Sequence, residues 1–161
     1  MKNLKHLIII GLVFFSCSAQ EPTTFSKEAL NDTFVTLQGE NVTFKSILEA
    51  HKGSTLVIDI WASWCKDCIG GMPKVKALQQ AHPEVTYIFL SLDKTQEAWK
   101  KGIEKYDVQG NHYFMQSGWK GPFGNFVALD WIPRYMVVDK DGNIKLYKAI
   151  EADDQNIKNV L

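Results

Sequence analysis

The chain has 161 residues, 45% of them hydrophobic and 12% aromatic, which suits one domain with a real core and argues against disorder. Its 18 basic and 18 acidic side chains cancel, and Arg134 is the only arginine. Without a basic stripe, nucleic-acid binding through phosphate contacts is disfavoured, and no internal repeat is present.

Residues 1–19 read as an export signal: Lys2 and Lys5, an apolar run over 7–15 too short to span a bilayer, then small residues. Two cleavage points fit. "FFSC" resembles the lipobox of bacterial lipoproteins, which would make Cys17 the lipidated first residue, although Phe14 stands where leucine is usual. Ordinary cleavage after Ala19 also fits. Either way the folded part is expected outside the cytoplasm, on the periplasmic side of the envelope, where disulfides persist.

Residues 20–33 are polar and are expected to be a tether to a domain over 34–161. "TFVTLQGENVTF" predicts a hairpin turning at 38–41. The helix that follows has Thr43 as N-cap and Gly53 just past its end. "TLVIDI", apolar except for Asp59, suits a central strand covered on both faces. From Cys65 to about Gln80, Ile69, Met72, Val75 and Leu78 recur at helical spacing, with Pro73 expected to kink the helix. "VTYIFLSL" is a second buried strand. "DKTQEAWKKGIEKY" is an amphipathic helix with Asp93 as N-cap and Gln96 three residues on. Residues 107–131 lack a clean period and read as a loop with its own aromatic cluster, or as a partner-selecting surface; His112 is placed in that loop. "RYMVVDKDGNIKLYKAI" is a hairpin turning at Asp141–Gly142, and "DDQNIKNVL" a closing helix. The order predicts an α/β or α+β domain with a central mixed sheet.

Cysteine use narrows the chemistry. Cys17 falls in the signal region, leaving Cys65 and Cys68. Four ligands for structural zinc are not gathered, because His51, His82 and His112 are scattered. A disulfide closing so small a loop would restrain the unfolded chain little, so a chemical role is favoured over a structural one. Residues three apart on a helix share a face. At a helix start Cys65 would meet unpaired N–H groups and the positive dipole end, which favour thiolate, the nucleophile. Cys68, one turn deeper, would be the resolving thiol. Lys66 and Asp67 tune the pair in opposite senses.

"VIDIWASWCKDC" resembles the active-site strand and turn of thioredoxin. The N-terminal hairpin, the export signal and the long segment before "WIP" resemble more narrowly those of the TlpA-like envelope thiol–disulfide oxidoreductases. The resemblance implies an α/β fold, a thioredoxin-like three-layer α/β/α arrangement with a central mixed sheet and an N-terminal β-hairpin extension. Asp59, six before Cys65, matches the buried aspartate of that family. Pro73, eight after it, matches the helix-kinking proline, and "WIPRYMVVDKDGNI" matches the cis-proline loop and hairpin, with Pro133 as the cis-proline. Lys66–Asp67 replaces the Gly–Pro of thioredoxin, so no redox potential carries over. The resemblance implies no cofactor beyond a redox-active Cys65–Cys68 disulfide. It implies Asp59 as a proton acceptor, and Trp64, Ile132 and Pro133 as substrate contacts. Implied partners are disulfide-containing envelope proteins, apocytochrome c among them, and a membrane thiol donor. Trp61 is read as core packing and Arg134 as a solvated side chain. Three rivals stand beside the expected reductant: an oxidase or isomerase; a peroxidase, against which Ala62 stands where Thr or Ser is needed; and a copper-binding or interaction module, whose CxxxC spacing is one residue longer.

Overall fold

A computed structural model describes residues 20–161; the predicted signal and Cys17 lie outside the described residues. Continuous apolar runs became the central strands, β3 (Leu56–Trp61) and β4 (Thr86–Ser91), which pair in parallel. β3 is buried along its whole length, as a strand covered on both faces must be. Outward from β4 lies β5 (Asn111–Phe114), also parallel, then the hairpin β1 (Thr33–Thr36) and β2 (Asn41–Thr43). On the other side β6 (Arg134–Val138) and β7 (Ile144–Ala149) run antiparallel, giving a seven-stranded mixed sheet of order β2-β1-β5-β4-β3-β6-β7.

Helices cover both faces. α3 (Lys66–Ala81) and α4 (Gln96–Tyr106) share one face. Trp99 of α4 meets Phe114 of β5 there at 5.8 Å between ring centroids, and Lys76 of α3 reaches Asp107 at the end of α4. Phe34, which alternates to the opposite face of β1, packs against Phe44 of α2 (Phe44–Ala50) and Phe123 of α5 (Pro122–Phe126). α6 (Gln155–Val160) closes the chain against β6 and β7. No described helix is long and apolar enough to cross a membrane.

Five expectations are corrected. Residues 20–33 are not a polar tether throughout: α1 (Lys27–Leu30) is capped by Ser26, and Phe25 and Ala29 are buried, Phe25 edge-on to Phe44 at 4.8 Å. Burying one such phenylalanine contributes roughly 1.5–3 kcal/mol, so the segment is part of the core. Asp32 anchors it further, accepting from Ser117 Oγ at 2.8 Å and Phe123 N at 2.9 Å. Thr95, not Asp93, caps α4, accepting from Ala98 N. Residues 107–131 are ordered as β5, a 3₁₀ turn at Gly118–Lys120 and α5. His112 is a buried strand residue stacked on Phe89 at 5.2 Å. Arg134 is fully buried: its guanidinium donates to Val127 O at 2.7 Å and to Asp130 Oδ1 at 2.5 Å, so it is a structural tie rather than a solvated charge.

Candidate active site

The site forms where β3 ends. After Trp61, which is buried, the chain turns through Ala62, Ser63 and Trp64 into Cys65, the N-cap of α3. Cys65 Sγ accepts from Cys68 N at 3.1 Å, satisfying one of the N–H groups a helix start leaves free. The two cysteines are joined in a disulfide, their Cα atoms 5.3 Å apart. Cys65 is 6% exposed and Cys68 1%, so the first sulfur lies nearer solvent. Lys66 and Asp67 are exposed at the rim. Among the described residues, no group of three or more His, Cys, Asp or Glu is gathered that could hold a metal ion.

Facing the disulfide is the loop before β6. The Ile132–Pro133 bond is cis, and Ile132 O lies 3.6 Å from Cys65 Sγ. Trp64 and Trp131, 52% and 60% exposed, stand on either side. With half-buried Trp119 from the 3₁₀ turn they line a groove of about 450 Å³ that opens on Cys65.

Asp59 lies deeper on β3, paired directly with Tyr135 of β6, so both side chains occupy one sheet face. That face is the one under α3: Tyr135 Oη lies 3.7 Å from where a Cβ on Gly71 would sit. Cys68 and Gly71, three apart, share a face of α3. The inner cysteine and the carboxyl therefore belong to one interface between helix and sheet. Asp59 is 2% exposed, and neither carboxyl oxygen has a hydrogen-bond partner of ordinary geometry. Burial pushes its pKa from 3.8 to about 8, an effect that the neighbouring Tyr135 hydroxyl partly offsets. Burial and the negative charges of Asp59, Glu151 and Asp153 push Tyr135 up in turn, which keeps it a phenol.

Sequence reasoning missed the polar frame of the Cys65 loop. Asp93, just past β4, is buried and accepts from Ser63 N at 3.1 Å, Ser63 Oγ at 2.6 Å and Ser91 Oγ at 2.8 Å. Gly102 on α4 completes it, since a Cβ there would sit 2.4 Å from Ser63 Cβ. The available signal was an aspartate ending a buried strand parallel and adjacent to the cysteine strand.

A family model described as thioredoxin-like matches residues 53–144. The thiol–disulfide oxidoreductase ResA of Bacillus cereus is 29% identical over 147 residues, covering 86% of this chain and 80% of its own. A thiol–disulfide oxidoreductase from Bacteroides fragilis superposes with a TM-score of 0.68 at 21% identity, over 84% of this chain and 100% of its own, a likeness of fold. The thioredoxin domain of a Bacteroides vulgatus oxidoreductase does so with a TM-score of 0.65 at 22% identity, over 84% and 95%. A cysteine pair closed into a disulfide at the start of the helix after the central strand has the chemistry these relatives are named for, and the chain belongs to the thioredoxin-like family as a thiol–disulfide oxidoreductase.

Proposed function

We propose that the protein reduces disulfides of exported proteins, with Cys65 as nucleophile and Cys68 as resolving thiol. The observation that supports this most is the asymmetry of the pair: Cys65 caps α3 and faces the groove, whereas Cys68 is sealed against the sheet face that holds Asp59. A helix N-terminus and its free N–H groups favour the anionic, reactive form of Cys65.

The Cys65 thiolate attacks one sulfur of the substrate disulfide. That bond breaks, a mixed disulfide forms, and the leaving thiolate takes a proton from water. In the ionised fraction of Asp59, which grows as pH approaches 8, Cys68 then gives its proton to the carboxylate, and its thiolate attacks Cys65 Sγ. The mixed disulfide breaks and the second substrate thiolate leaves and is protonated. Two electrons have passed to the substrate, and the protein is left with the Cys65–Cys68 disulfide present in this structure. A dithiol reductant at the membrane must restore the pair. An Asp59 pKa near 8 suits general-base work near neutral pH. Trp64, Ile132 and Pro133 are the substrate contacts, and Lys66 and Asp67 set the potential.

Export rests on the residue pattern of 1–19, with Cys17 as lipid anchor. A Cys17→Ser variant then leaves the detergent phase, and a mature N-terminus at Gln20 would overturn the anchor. The partners are disulfide-bearing envelope proteins, apocytochrome c among them as the family resemblance implies. Equilibration with glutathione tests the direction: a potential near about −270 mV marks a reductant, and one near about −120 mV would make the protein an oxidant instead.

A further inference from the structure

Two tryptophans of the groove beside the disulfide, Trp119 and Trp131, have no part in the exchange chemistry. Trp119 comes from the 3₁₀ turn and Trp131 from the loop before β6, and together with Trp64 they surround the approach to Cys65. The wall is fixed in place. Gly124 lets α5 press against the turn, since a Cβ there would sit 2.4 Å from Trp119 O. Ser117, at the start of the turn, is bonded to buried Asp32 at 2.8 Å. The groove is close to neutral. Lys66 and Asp67 sit together at its lip, and the Asp130 carboxylate is held by Arg134 at 2.5 Å and Lys148 at 3.5 Å. Exposed tryptophans around a neutral cleft do not select a charged or strongly polar segment. They favour a bulky apolar side chain that can be removed from water against their rings.

The occupant follows from position. Whatever reacts at Cys65 must bring its sulfur to Cys65 Sγ, and residues next to that sulfur then enter the groove. We propose that the tryptophan groove selects protein segments in which the disulfide cysteine is flanked by an aromatic or large aliphatic residue. This rests on the reducing role proposed above and names the class of substrate that role serves.

The test uses the pre-reduced protein in single turnover, so that its own dithiol supplies both electrons. The substrates are disulfide-linked dimers of short single-cysteine peptides with Trp, Leu, Ser or Glu beside the cysteine, and glutathione disulfide is the reference. Burying one such side chain accelerates the Trp and Leu peptides over the Ser and Glu peptides by roughly tenfold in the second-order rate constant of that turnover. Trp131→Ala and Trp119→Ser collapse that ratio toward one. Trp131 is 60% exposed, so its variant keeps the fold even where the Trp119 variant does not. Equal rates across the series, with glutathione disulfide still reduced, overturn the selectivity alone. No reaction with any disulfide overturns the reducing role and the selectivity together.

Discussion

Two buried carboxylates bracket the loop that carries Cys65, Asp59 beneath it on β3 and Asp93 beside it after β4, and their surroundings are opposite. Asp93 accepts from a backbone N–H and two hydroxyls, all aimed at it from the loop and the strand end. Asp59 is as deeply buried and has no partner of ordinary geometry. A carboxylate whose lone pairs are occupied holds geometry, and removing it orphans its donors. A carboxyl left alone in an apolar strand resists ionisation, so it can take up and release a proton within the working pH range. The same residue type therefore frames the loop at one position and, in the proposed mechanism, serves as proton acceptor at the other.

The largest loss of stability expected from a substitution is on the framing side. Asp93→Ala leaves the Ser63 N–H and the Ser63 and Ser91 hydroxyls without their acceptor, at about 1–3 kcal/mol for each group that stays buried and unpaired. We expect a loss of at least ~2 kcal/mol in urea unfolding. Asp59→Asn should lose no stability, because a costly charge-capable group becomes neutral. If the two variants are equally destabilised, the contrast between the carboxylates is wrong.

Asp59 also has a pH signature. Folded, it keeps its proton up to about pH 8; unfolded, it loses it near 3.8. The folded state therefore binds more protons in that window. Asp59's contribution to stability is greatest at the acid end and is lost as pH rises from about 4 to about 8, by up to ~1.4 kcal/mol per pH unit. Unfolding of wild type against Asp59→Asn across this range isolates the slope, which the variant should lack. Tyr135→Phe is a smaller test. The hydroxyl draws the Asp59 pKa down, so its removal moves the pH midpoint of mixed-disulfide release upward. A downward shift would contradict the pairing. Smallest of all is Lys74→Ala. It breaks ion pairs to Glu151 at 2.6 Å and Asp153 at 3.1 Å, but these are exposed, and the melting temperature should not change measurably.

The site was more legible in the sequence than its frame. β3, α3 and the β6–β7 hairpin announce themselves through a continuous apolar run, a helical repeat and an Asp–Gly turn, all local signals. β5 was missed because its alternation lasts only four residues, and α5 because it is five residues long and carries proline and glycine. Asp93 followed by Gln96 imitates a capping box, while the partner that decides its place, Ser63, lies thirty residues away. Arg134 was misread because arginine is seldom buried, although Asp130, four residues earlier, was the visible clue to its ion pair. Local patterns reach a few residues, and packing decided the rest.

The most direct test of the account is a trap. Reduced Cys68→Ser protein, given a substrate disulfide at neutral pH, should accumulate a mixed disulfide that peptide mapping places on Cys65. Cys65→Ser should accumulate little under the same conditions, because Cys68 is sealed at 1% exposure. Adducts forming as readily on Cys68 as on Cys65 would contradict the proposed order of attack and, with it, the proposed role of Asp59 as acceptor of the Cys68 proton.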